Sequence, residues 1–357
     1  MGHPACVRRV TNFGDLRHGE SLAAKRRVRT SPNQEGGLSL MPASSGHHSH
    51  SQTTILRGAR RFPFRTIVAA TDLSEGSSAV LKCAQELARV QHAKLLLIHV
   101  IDPVGYAFPE GAPAAVTRDK VAREELARIE AEVRQQGIPV RSRVETGIVC
   151  ERILLSLRDH KAALLVMGTK AVTGAGRAAL GRVTRQLLMQ SPCPILTVGP
   201  EDGEKPRPFG HWHNVLAATD FSLASLSALH YAQRIAGRHL ILLHTARCGR
   251  HEECPNCLER LRFLAPFNES HTIPVDHVVT GGDPAEEIIK AAQLLGPDLV
   301  VLGAPSPEHQ EHDLEHSTVA RVVAAVGCPV LIVPEHRENY ADELIEEVQE
   351  QPVAGSR

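Results

Sequence analysis

The chain states one pattern twice at a fixed interval. Leu164–Val198 opens with an apolar run, Leu164 to Met167, followed by a loop of small residues with Gly168, Gly174, Gly176 and Gly181. A helical pattern from Gly181 to Met189 stops at Ser191-Pro192, and Ile195 to Val198 is a second apolar run. Leu299–Val333 has the same layout without a gap, so that Gly303 matches Gly168 and Cys328 matches Cys193, each 135 positions on. Strand, glycine loop, helix, strand is half of a parallel nucleotide-binding unit. Glycines let the backbone approach a ligand closely. The helix start behind them offers free N–H groups and a positive dipole end to an anion such as phosphate.

The repeat extends upstream. Thr66 to Ala70 is a near-continuous apolar run, the mark of a strand buried on both faces. Ala69-Ala70-Thr71-Asp72 returns as Ala217-Ala218-Thr219-Asp220, 148 positions later. One helical face, Val80, Leu81, Ala84, Leu87 and Ala88, returns at the same interval as Ala228, Leu229, Ala232, Ile235 and Ala236. Ile241-Leu242-Leu243-His244 restates Leu96-Leu97-Ile98-His99. Between them the pattern predicts a loop over Asp102–Thr117, a charged helix over Val121–Gln136 stopped by Gly137, a strand at Val140–Glu145 and a helix at Val149–Leu157. Alternating strands and helices, present twice, predict two α/β domains, each a doubly wound parallel five-stranded sheet.

The expected boundaries are a disordered basic extension over 1–62, domains over 63–200 and 213–336, a Pro-rich linker over 201–212, and an acidic tail over 337–357. Residues 1–65 hold eleven Lys/Arg against three Asp/Glu within a chain of zero formal charge. Two readings stand for the extension: a solvated tail or a stretch read from a start codon too far upstream, or an electrostatic arm for nucleic acid or an anionic surface. No apolar run approaches the roughly 18 residues that span a bilayer, and no secretory core is present. Eight cysteines, mostly within apolar patterns, do not form a secreted disulfide framework, so a cytoplasmic location is expected.

Taken together, the strand ending in Ala-Thr-Asp-x-Ser, the Leu-Ile-His end of the second strand, Val-Met-Gly-Thr at Val166–Thr169, and Pro-Cys-Pro before the last strand resemble the universal stress protein family. The resemblance spans Arg65–Pro200 and His213–Pro334. It implies a Rossmann-like fold of the adenine nucleotide alpha hydrolase type. It also implies an internal pseudo-dimer joined through the last strands, Pro194–Val198 against Pro329–Val333, with pairing into a larger homo-dimer left open.

Family members that bind ATP carry glycine, two residues, glycine, nine residues, then glycine and Ser/Thr. The matching positions are Gly168, Ala171, Gly181 and Arg182 in the first half, and Gly303, Ser306, His316 and Ser317 in the second. Two of four agree in each. The acidic second loop (Glu308, Glu311, Asp313, Glu315) repels a triphosphate, so ATP is expected at most in the first half. The resemblance places Ala70, Thr71, Asp72, Val100, Met167, Gly168, Ala171, Gly181, Arg182 and Val183 around it. Asp72 also fits a plain turn or helix cap, and His99 and His244 fit satisfied, partly buried histidines.

Cys248, His251, Cys254 and Cys257 lie after the second half's second strand. They support three readings: a Cys3His zinc site, a redox-active thiol pair at a helix start, or a helix entry with incidental thiols. No triad, carboxylate dyad or Walker lysine falls in the matched loops, so binding rather than a dedicated reaction is expected, with slow ATP hydrolysis as the enzymatic alternative. Expected partners are a small nucleotide and other proteins; neither nucleic acid nor a membrane is among them.

Overall fold

The computed structural model describes residues 64–102, 112–169, 180–199, 202, 209–246, 256–266, 273–304 and 317–335. The basic extension, the acidic tail, Ala171, Cys248, His251, Cys254, Ser306 and His316 lie outside the described residues.

The first half runs β1 (Thr66–Ala70), a 3-10 turn (Glu75–Ser77), α1 (Ser78–Gln91), β2 (Lys94–Ile101), α2 (Ala112–Gln135), β3 (Val140–Thr146), α3 (Val149–Asp159), β4 (Leu164–Gly168), α4 (Arg182–Gln190) and β5 (Ile195–Val198). The second runs β6 (Asn214–Ala218), α5 (Leu223–Ile235), β7 (His239–Ala246), α6 (Cys257–Leu264), β8 (Val275–Gly281), α7 (Pro284–Leu295), β9 (Leu299–Ala304), α8 (Thr318–Ala325) and β10 (Val330–Pro334). The one displaced boundary is that of α2, which begins at Ala112 inside the expected loop. Pro113 falls in its first turn, where the missing N–H has no intrahelical partner to lose. Gly137 ends that helix as expected, at φ 79° and with its N–H on Arg134 O.

All the described strands join one sheet of ten, in the order β3-β2-β1-β4-β5-β10-β9-β6-β7-β8. Within each half every pairing is parallel. The halves meet where β5 pairs antiparallel with β10, Leu196 opposite Leu331. The two expected five-stranded sheets are therefore one surface, joined through the last strands. Thr197, buried at this seam, donates its hydroxyl to Val330 O at 3.2 Å.

Helices cover both faces. One face carries α1, α2, α5 and α6, the other α3, α4, α7 and α8, and each core contains residues of both halves. Phe209 and Trp212, from the stretch expected to be a polar linker, are buried in the first of these cores and meet edge to face at 6.2 Å. Phe64, just before β1, stacks on Tyr231 of α5. The halves are thus fastened by sheet, linker and aromatic contacts. No described helix is long and apolar enough to cross a membrane.

Candidate functional site

Parallel strands bring their carboxyl ends to one rim, and open α/β sheets bind ligands there. β1 pairs with β4 on one side, Ala69 opposite Val166, and with β2 on the other, Ala70 opposite Ile98. That register sets Ala70, Thr71, Asp72, Val100, Met167 and Gly168 along one rim of the first half. Gly181, Arg182 and Val183 return to the same rim: Gly181 N donates to Thr169 O at 3.5 Å, and Thr184 Oγ1 to Gly168 O at 3.3 Å.

The turn after β1 is built by its own side chains. Asp72 Oδ1 accepts from Ser74 N at 3.0 Å and from Ser74 Oγ at 2.6 Å, closing an Asx turn. Burial pushes the Asp72 pKa up, but the hydrogen bonds from Ser74 and Ser77 outweigh it and hold the carboxyl below its usual value. Thr71 Oγ1 accepts from Leu73 N and donates to Ser77 Oγ at 2.9 Å. The turn holds Leu73 at φ 60°, a left-handed conformation costly for a side chain of its size. Asp220, Ser222, Thr219 and Ser225 repeat every one of these contacts, with Phe221 at φ 66°. Asp72 is therefore committed to a turn whether or not a ligand is present. Sequence reasoning passed over Ser77 and Ser225, although each follows its Thr by six positions in both copies. His99 and His244 are satisfied as expected, each through Nδ1 to the carbonyl of Thr71 or Thr219, at 2.9 and 2.8 Å.

The two rims differ where the repeat glycines stand. A Cβ on Gly168 meets, among the described residues, only Val80 Cγ2, at 3.7 Å. A Cβ on Gly303 falls 2.4–2.5 Å from the backbone of Ala224 and Ser225. In the second half the start of α5 lies directly on the strand end; in the first half that space is not taken by the helix. The helix starts differ too. In the second half α5, α7 and α8 are capped by the side chains of Ser222, Asp283 and Ser317 and α6 is not, whereas in the first half α1, α3 and α4 have no side-chain cap. The N-cap of α4 is Gly181, which has no side chain to offer its first N–H groups, and exposed Arg182 is its first residue.

Asp202 is a further rim residue that the sequence did not single out. It is buried, accepts from Gly199 N at 2.8 Å just past β5, and its charge acts on the buried Cys83 thiol. On the second rim, the Phe221 ring lies 4.4 Å from that of His244, and the Arg260 guanidinium sits 3.8 Å over Phe221.

Of the four expected zinc ligands only Cys257 is described. It is buried at the start of α6 and disulfide-bonded, and its partner lies outside the described residues. A disulfide sulfur is not the thiolate that zinc takes. Among the described residues no group of three or more His, Cys, Asp or Glu is placed to hold a metal.

Comparison with known proteins matches the model of the universal stress protein family to residues 63–199 and 211–334. A universal stress protein of Thermus aquaticus is 30% identical over 136 residues, covering 38% of this chain and 98% of the relative. One of Mycolicibacterium smegmatis is 27% identical over 290 residues, covering 75% of this chain and 96% of the relative, so its length matches both halves together. The crystal structure of a universal stress protein from Archaeoglobus fulgidus superposes with a TM-score of 0.64 at 19% identity, over 77% of this chain and 100% of that one. With two matched regions on one continuous α/β sheet, this chain belongs to the universal stress protein family.

Proposed function

We propose that the chain is a stress-response protein that binds an adenine nucleotide, ATP, at the rim of its first half, and that it acts by binding rather than through a dedicated reaction. The observation that carries this reading is the contrast between Gly168 and Gly303. Among the described residues a Cβ on the first glycine would meet only Val80, whereas the second glycine is required by the protein's own helix. The start of α4 supports the same half: its glycine N-cap supplies no side-chain acceptor, and helix-start N–H groups with the Arg182 guanidinium beside them suit a phosphate. So does the charge: residues 63–199 hold eighteen Lys/Arg against thirteen Asp/Glu, residues 211–334 eight against fourteen. The domains, on this reading, follow the two matched regions, with the second as a non-binding partner that completes the sheet.

Calorimetric titration of the full chain with ATP tests the reading. Loss of a charge-assisted hydrogen bond costs about 1.5–3 kcal/mol, so Arg182→Ala should weaken binding roughly 10- to 100-fold. Ser317→Ala, at the matching position of the second half, should leave the affinity unchanged. No heat and no thermal shift at millimolar ATP would remove the nucleotide from the proposal and leave the fold intact.

A second reading rests on Cys257. Its disulfide favours thiol chemistry over zinc at the cysteine insert, so the chain would act as an interaction scaffold sensitive to thiol redox state.

A further inference from the structure

We propose that His277 is an acid-sensitive latch, holding the carboxyl-terminal end of α6 while its imidazole is neutral and releasing that helix when it is protonated.

His277 is the third residue of β8, which ends the ten-stranded sheet. Its neighbours on the same side of the strand, Val275 and Val279, pack into the core beneath α6. The residue is only 3% exposed, Nε2 lies 3.0 Å from Ala265 O, and Nδ1 has no hydrogen-bond partner among the described residues. Ala265 is the C-cap of α6, so that carbonyl is one of those a helix end leaves without an internal donor. An acceptor there requires N–H at Nε2 and leaves Nδ1 as a bare lone pair within the core. Gln233 of α5 takes the preceding carbonyl, Leu264 O, at 3.2 Å.

These tertiary bonds matter because α6 has eight residues, below the roughly 12–15 at which an isolated helix becomes marginal in water. Its amino-terminal end is tied by the Cys257 disulfide, and among the described residues the rest is held by the buried Leu261, the Arg260–Phe221 contact and the two side chains on its last carbonyls, so the end that His277 holds is the one without a covalent tie. Protonation adds a charge and an N–H at Nδ1 that has no acceptor, inside an apolar layer. Burial, the largest influence, pushes the His277 pKa below its ordinary 6.5. The bond to Ala265 opposes this, Arg262 of α6 adds to it, and Asp276 opposes it. Asp276 is itself held by His239 of β7, at 3.1 Å. A depressed pKa means that the unfolded or released form binds the proton more tightly. The anchorage is therefore complete above pH 6.5 and weakens as pH falls below it.

The first half supplies an internal comparison. Ser142 occupies the matching place on β3 and bonds Glu130 of α2, a helix of 24 residues that does not depend on one contact. Only the second half places an imidazole under a short helix. Release of α6 would withdraw Arg260 from Phe221 and uncover Leu261, Val275 and Val279 on that face of the sheet.

The test follows leucine methyl and histidine ring resonances of the full chain by NMR from pH 7.5 to 4.5. His277 should titrate below 6.5, and the Leu261 methyls should move with the same midpoint, with the released fraction at least tenfold higher at pH 5 than at pH 7. The methyls of Leu126, the α2 counterpart, should stay still. His277→Gln retains a donor for Ala265 O and cannot acquire the charge, so it should keep α6 seated across the range. A Leu261 midpoint unchanged in His277→Gln, or His277 titrating while Leu261 does not move, would overturn the proposal.

Discussion

Leu196 and Leu331, which hold the same place in the repeat, face each other across the antiparallel pairing that joins the two halves. A position matched to its own copy lies at an approximate two-fold axis, so this pair marks where the halves are related. Both side chains are 2% exposed. Replacing Leu331 by Asp places an unpaired carboxylate in that seam, at a cost of about 3–5 kcal/mol. Leu331→Ala should cost about 2–5 kcal/mol through lost transfer energy and the cavity left behind. Guanidinium unfolding followed by circular dichroism should show both losses, and a midpoint within error of wild type for Leu331→Asp would mean that the seam does not hold the halves together.

The two repeat glycines should respond oppositely to one methyl group. Gly168→Ala gains an ordinary contact with Val80 and should change stability by less than about 1 kcal/mol. Gly303→Ala drives a Cβ into the backbone of α5 and should cost about 1–3 kcal/mol or more, since backbone cannot move aside as a flexible side chain does. Thermal unfolding of the two variants side by side decides it, and equal losses would show that the rims are alike.

The two Asx turns predict a component of acid sensitivity. Burial raises the Asp72 and Asp220 pKa values, but hydrogen bonds, chiefly from Ser74 and Ser222, bring both below the ordinary 3.8. A depressed carboxylate pKa contributes stability that is present above 3.8 and is lost as pH falls through the folded value. In Asp72→Asn/Asp220→Asn the loss of stability between pH about 4 and 2 should be shallower than in the wild-type chain. An identical acid limb in urea titrations would assign that sensitivity elsewhere.

Thiol reactivity should divide the cysteines. Cys83, Cys150, Cys193 and Cys328 are free and buried, and burial pushes the Cys193 pKa up to about 11. Little thiolate forms at neutral pH in such a setting, so native-state alkylation of these four should be slow and should accelerate on unfolding. Cys257 is disulfide-bonded, and peptide mapping without reductant identifies its partner. A reduced Cys257 in protein purified without reductant would remove the thiol reading of the insert.

The sequence by itself determined the duplication, the strand and helix order, and the rim to which Thr71, Asp72, Gly168 and Gly181 belong. Those properties are local: side-chain periodicity decides which face a segment buries, and parallel connection places loops at strand ends. Pro113 misled because proline within a loop and proline in a first helical turn look alike until the helix behind it is seen. What only the tertiary structure decided depends on approach across long separations. Gly168 and Gly303 are equivalent in the sequence, yet among the described residues one would meet a single side chain, Val80, and the other a helix backbone, because α5 settles more closely on β9 than α1 does on β4. Phe209 and Trp212 read as linker and are core; Asp202 reads as linker and reaches the first rim; His277 reads as one more strand residue and holds the end of a helix. No spacing rule reports these contacts, since each depends on how far a packed helix or a returning loop comes to rest from the sheet.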